Sequence, residues 1–178
     1  EKRSFDRLSE QEALALAISS EEDDARIYLA YADGLREQYP QSAKVFEEMA
    51  EEEHEHRNRL IEAHQKRFGE NIPLIRRDHV RGYFERKPDW LVRPLSIDKV
   101  RDQAELMERG AQRFYIEAAQ RSADASTRKL LGDLALAEQN HVSLAKRLGL
   151  KHVTDDAKSE EASTERRQFI LTYVQPGL

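Results

Sequence analysis

Two short strings, Glu53-x-x-His56 and Glu138-x-x-His141, stand 85 residues apart. On a helix, positions i and i+3 share a face, so each string presents a carboxylate and an imidazole together. Upstream of each string stands a further glutamate, Glu21 and Glu108, 87 residues apart. Carboxylate oxygens and imidazole nitrogens are metal ligands. Four carboxylates gathered without a partner would repel one another and would be costly to bury. The simplest compensating group is a cation. One Glu-x-x-His on a glutamate-rich helix is a weak signal, because such a helix ordinarily turns its charges to water. Two copies, each with a matching upstream glutamate, form a strong one.

The elements that must position these groups are helices. Glycine and proline are scarce, and Ala, Leu, Glu, Arg and Gln, all helix formers, are abundant. Four stretches carry the 3-then-4 spacing of a helix with one buried stripe. The first is expected over 9–38, capped by Ser9 with Glu12 completing a capping box, with stripe Leu14, Ile18, Glu21, Ala25, Tyr28, Ala32 and Leu35. The second, over 42–68, has stripe Phe46, Met49, Glu53, His56 and Leu60, with Gly69 as its stop. The third, over 96–122, has stripe Ala104, Glu108, Ala111, Tyr115 and Ala118. The fourth, over 124–148, has stripe Leu131, Leu134, Glu138, His141, Ala145 and Leu148, with Gly149 as its stop. Every candidate ligand takes a position in a stripe where a hydrophobe is expected. One Glu from each of two helices and Glu-x-x-His from each of the other two is the ligand pattern of dinuclear iron or manganese carboxylate bundles. Zinc can also occupy such a site.

Neighbouring residues leave alternatives. Glu22 also fits a stripe on the first helix, though Glu21 collects the more apolar companions. Glu105 lies one turn before Glu108, close to the same face, and is a candidate seventh ligand. Glu51, Glu52, His54 and Glu55 point away from the Glu53 stripe and are expected on a solvated face or at a weak secondary site. His64, His79 and His152 are expected at the surface. Tyr28 and Tyr115 follow Glu21 and Glu108 by seven residues, and each hydroxyl is placed to bond a ligand carboxylate.

The 178 residues suffice for one domain with a substantial core. The expected architecture is all-α: one four-helix bundle over 1–149, with short links inside each helix pair and a long crossover over 69–95 between the second and third helices. "DHVRGYFERK" (78–87) is read as a short helix inside that crossover. Residues 150–178 are read as a polar linker or weak surface helix. The net charge of −5 argues against nucleic acid as a partner. With no cysteine, disulfides, thiolate metal sites and cysteine nucleophiles are excluded. No apolar run reaches the roughly 20 residues that span a bilayer. The chain begins without Met and stops at "RRQFILTYVQPGL", so it is expected to be a piece of something longer. The apolar and aromatic content of the crossover (Ile72, Leu74, Ile75, Tyr83, Phe84, Trp90, Leu91, Val92) suggests a homodimer.

"AISSEEDDARIYLAYA", "EEMAEEEHEHRNRL", "ELMERGAQRFYIEAA" and "LALAEQNHVSLAKRL" resemble the four helices of the rubrerythrin branch of the ferritin-like superfamily, over residues 9–149. The resemblance implies a ferritin-like bundle in which Glu21, Glu53, His56, Glu108, Glu138 and His141 hold two iron ions. It also implies that Glu105 is the additional third-helix ligand. Rubrerythrins proper usually carry a cysteine-rich module for electron delivery, which this chain lacks. The 69–95 segment and the ending "RRQFILTYVQPGL" resemble the membrane-bound ferritin A family, in which an erythrin domain precedes a vacuolar-iron-transporter-type membrane domain. That resemblance implies the cytoplasmic domain of a bacterial inner-membrane iron exporter, binding Fe(II), regulating or feeding efflux and limiting peroxide damage. The alternative is a ferroxidase or peroxidase enzyme.

Overall fold

The computed structural model describes residues 2–82 and 96–146. Four helices form an all-α bundle: α1 (Glu10–Leu35), α2 (Pro40–Phe68), α3 (Ile97–Arg121) and α4 (residues 125–146). Their starts follow from capping chemistry. Ser9 accepts from the Glu12 backbone at 3.1 Å while Glu12 accepts from the Ser9 backbone at 2.9 Å, the expected capping box. Pro40 opens α2, where its missing N–H costs nothing. Asp124 accepts from the Thr127 backbone at 2.8 Å and so caps α4. Gly69 closes α2 at φ 81°, a conformation that suits glycine.

The short links at 36–39 and 122–124 fold each helix pair back on itself. Across the bundle, Tyr28 reaches Glu108 while Tyr115 reaches Glu21, so α1 and α3 run antiparallel. His56 approaches Glu138 while His141 approaches Glu53, so α2 and α4 are antiparallel too. Hence α2 and α3 are parallel, and the chain must return along a bundle whose helices are roughly 40 Å long. That is the reason for the long crossover.

The described part of the crossover is strapped to α1. Arg77 is buried and donates to Asp24 and to the Ser20 carbonyl. Ser19 Oγ donates to the Ile75 carbonyl at 2.6 Å. Val80 and Arg81 pair in parallel with Arg3 and Ser4, forming a two-residue ladder of β1 (Arg3–Ser4) and β2 (Val80–Arg81). The short helix expected from residue 78 is not formed in its described part. A 3₁₀ turn at Arg77–His79 leads directly into β2, because burying Arg77 and pairing Val80 requires extended chain. Ile72 and Ile75 pack against the core, whereas Leu74 is exposed. Residues 83–95, with the aromatic half of the crossover, and 147–178, with Leu148, Gly149, His152 and the polar tail, lie outside the described residues.

All the stripe positions within the described residues are buried. They form two apolar clusters, one around Leu14, Leu60, Phe114 and Leu134, the other around Tyr28, Phe46, Met49 and Ala104. Six charged side chains occupy the layer between them.

Candidate metal centre

Glu21, Glu53, His56, Glu108, Glu138 and His141 are each 6% exposed or less. They converge in two overlapping sets of four: Glu21, Glu53, His56 and Glu138, then Glu53, Glu108, Glu138 and His141. Within each set one ligand atom from every residue lies within 4.8 Å of the others. Glu53 and Glu138 belong to both sets, and each divides its oxygens between them. Oε2 of Glu53 and Oε1 of Glu138 lie 3.1 and 3.4 Å from His56 Nδ1. Oε1 of Glu53 and Oε2 of Glu138 lie 3.4 and 3.9 Å from His141 Nδ1. Glu21 and Glu108 each serve one set, at 3.7 Å from His56 and 3.3 Å from His141. Two carboxylates shared between the sets and two Glu–His pairs that each belong to one set are therefore present, related by an approximate two-fold axis. The two imidazoles face each other, 5.9 Å between ring centres.

The terminal carboxylates are oriented crosswise. The Tyr28 hydroxyl donates to Oε1 of Glu108, and the Tyr115 hydroxyl donates to Oε1 of Glu21. In each case Oε2 is left facing the cluster. Burial, reinforced by Glu108 for Tyr28 and by Glu21 for Tyr115, pushes both phenols up, so they stay protonated donors.

Without a cation the cluster favours protons. Burial, followed by the Glu53 charge, pushes Glu21 and Glu138 well above the carboxylate range. Burial alone would lower the two histidines. Glu21 and Glu53 outweigh it and push His56 up to about 9, and Glu108 and Glu53 push His141 up to about 12. Even so, Glu108 Oε2, Glu138 Oε1 and His141 Nδ1 are buried with no hydrogen-bond partner. These orphaned atoms all point into the cluster, and hard oxygen donors with imidazole suit iron, manganese or zinc. Four carboxylates with neutral imidazoles carry a charge that two divalent cations cancel.

Glu22 is not drawn in; it pairs with Arg26 at 2.6 Å. Glu105 stands outside both sets. Arg109 holds it at 2.7 Å, Lys146 lies 3.7 Å away, and the Arg109 hydrogen bond lowers its pKa. His64, expected at the surface, is fully buried, because it continues the α2 stripe one turn beyond Leu60; its ring packs 5.5 Å from that of Phe68. His79 is exposed as expected. Glu52, assigned above to the solvated face, is half-exposed, yet its Oε2 lies 2.7 Å from Nε2 of the buried His141. No periodicity finds that contact, since it depends on how α2 and α4 are registered.

The rubrerythrin family pattern matches residues 12–149, more than half of the sequence. The chain belongs to the rubrerythrin family. No curated protein matches it. A hypothetical protein from Pyrococcus furiosus shares the fold, with a TM-score of 0.67 at 21% identity over 83% of this chain and 94% of that one. Membership in the rubrerythrin family makes the bundle ferritin-like and implies iron binding, and the buried Glu/His cluster is fit to hold the metal.

Proposed function

We propose that this chain binds two iron ions between Glu53 and Glu138 and serves as the cytoplasmic domain of a bacterial inner-membrane iron exporter. There it would hold Fe(II) and regulate or feed its efflux, limiting iron and peroxide stress. The observation that carries the dinuclear reading is the sharing of Glu53 and Glu138 between two four-ligand sets. Glu21 and His56 complete one position, Glu108 and His141 the other. Tyr28 and Tyr115 fix the free oxygens of Glu108 and Glu21 toward the ions. The apolar clusters above and below keep water out. Bound iron would supply a one-electron couple; manganese or zinc satisfies the same donors. Glu105 is proposed as a seventh ligand, joining only when its carboxylate leaves Arg109 and Lys146. The exporter reading is supported by the resemblance of the crossover and of "RRQFILTYVQPGL" to the membrane-bound ferritin A family. A homodimer is proposed from the apolar content of the crossover, of which Leu74 is exposed.

Metal analysis after anaerobic Fe(II) loading tests the site: two irons per chain are expected, and far fewer in Glu53→Ala and Glu138→Ala. Equal retention by all three proteins would sink it. Efflux of iron by the transporter-fused protein, lost in Glu53→Ala, tests the exporter role. The enzyme alternative draws on Tyr28 and Tyr115, two oxidisable phenols bonded to ligand carboxylates. Stopped-flow mixing of the Fe(II)-loaded protein with peroxide separates the two. Many fast turnovers would favour the enzyme; a single slow oxidation would favour the binding domain.

A further inference from the structure

Beyond the six ligands and the two tyrosines, Glu52 places a polar group against the centre, and among the described residues it has no twin in the other half of the bundle. We propose that Glu52 is a positioning residue for His141 and makes the two metal positions unequal, the Glu108–His141 position binding the more tightly. The inference rests on the dinuclear reading above.

His141 Nδ1 faces the cluster, 3.3 Å from Glu108 and 3.4 Å from Glu53, while Nε2 lies 2.7 Å from Glu52 Oε2. An ionised carboxylate only accepts, so the ring hydrogen sits on Nε2. In the neutral imidazole the lone pair then sits on Nδ1, aimed where Nδ1 and Glu108 Oε2 lack hydrogen-bond partners. A carboxylate on the outer nitrogen of a ligand imidazole fixes the ring and raises its basicity. The Glu52 side chain is 53% exposed, so water solvates the carboxylate on the side away from the ring.

Among the described residues the other half has no equivalent. Glu52 precedes the Glu53-x-x-His56 motif by one residue; the residue in that place on α4 is Ala137, which has no carboxylate to offer. The ion pairs of His56 among the described residues all run through Nδ1 to the ligand carboxylates Glu21, Glu53 and Glu138. The approximate two-fold symmetry therefore breaks at the outer nitrogen of one histidine.

Anaerobic Co(II) titration of the 178-residue chain, followed by visible absorption and calorimetry, tests this. The wild type is expected to bind in two unequal steps. Glu52→Ala weakens the tighter step on the order of 10–100-fold and leaves the other nearly unchanged. Glu52→Gln, which keeps an acceptor, loses less. His141→Ala abolishes the step that Glu52→Ala weakens. Glu55→Ala removes the same charge from the same exposed face and changes neither step. The proposal is overturned if Glu52→Ala alters both steps alike or neither, or if Glu55→Ala has the same effect. A wild type that takes up no more Co(II) than Glu53→Ala overturns the dinuclear reading itself, a different outcome from two intact steps indifferent to Glu52.

Discussion

Tyr28 and Tyr115 each hold a carboxylate that stands about two turns before the other tyrosine on its own helix. Removing either hydroxyl strands a buried Glu108 or Glu21 oxygen. Tyr28→Phe and Tyr115→Phe should each cost about 1–3 kcal/mol, read from urea denaturation of the metal-free protein; unchanged midpoints would contradict the crossed bonds. The histidines give a pH signature. The folded-state pKa of His56 is raised from 6.5 to about 9, so its contribution to stability is full below 6.5 and lost as pH rises through 9. His141, raised to about 12, retains its contribution to higher pH, and the raised Glu21 and Glu138 lose stability in the same upward direction. Bound cations replace those protons. The gain in Tm on adding Fe(II) should therefore widen between pH 6.5 and 9. A gain that narrows over that window would mean the metal lies elsewhere.

The helices themselves were largely legible, because the spacing of Leu14, Ile18, Glu21 and Ala25, or of Phe46, Met49, Glu53 and His56, states which face is buried whatever the face meets. Ser9 and Glu12 announced the start of α1 through local chemistry alone. Ser9→Ala should cost about 1 kcal/mol in thermal or urea unfolding. What a face meets is decided by register between helices, and that is where the sequence ran out. It places Tyr28 beside a ligand carboxylate without saying that the partner is Glu108, and it puts Glu52 on a solvated face, where it is indeed exposed, without the contact to His141. His64, expected at the surface, is buried because Leu60 lies one turn before it in the same stripe, and histidine carries no preference that overrides position. The strap from the crossover was invisible too, because burial of Arg77 depends on Asp24, 53 residues away. Arg77→Ala removes an ion-pair partner from the buried Asp24 of α1 and should destabilise by about 3–5 kcal/mol, with faster proteolysis within 69–82. Wild-type stability and protease resistance would show that the strap holds nothing.

For the molecule as a whole, two helix pairs of similar pattern close around one charged layer, and the apolar clusters on either side make that layer dry. A site of this kind binds protons when empty and cations when filled, which links folding, pH and metal in one equilibrium. The apolar crossover, with Leu74 exposed, leads to an expected dimer in light scattering at micromolar concentration, and a clean monomer would count against it. The most direct test of the central claim is anomalous diffraction at the iron edge from Fe(II)-loaded crystals. Two peaks per chain are expected, one against Glu21 and His56, the other against Glu108 and His141, with Glu53 and Glu138 touching both. A single peak, or a pair that does not share Glu53 and Glu138, would contradict the account.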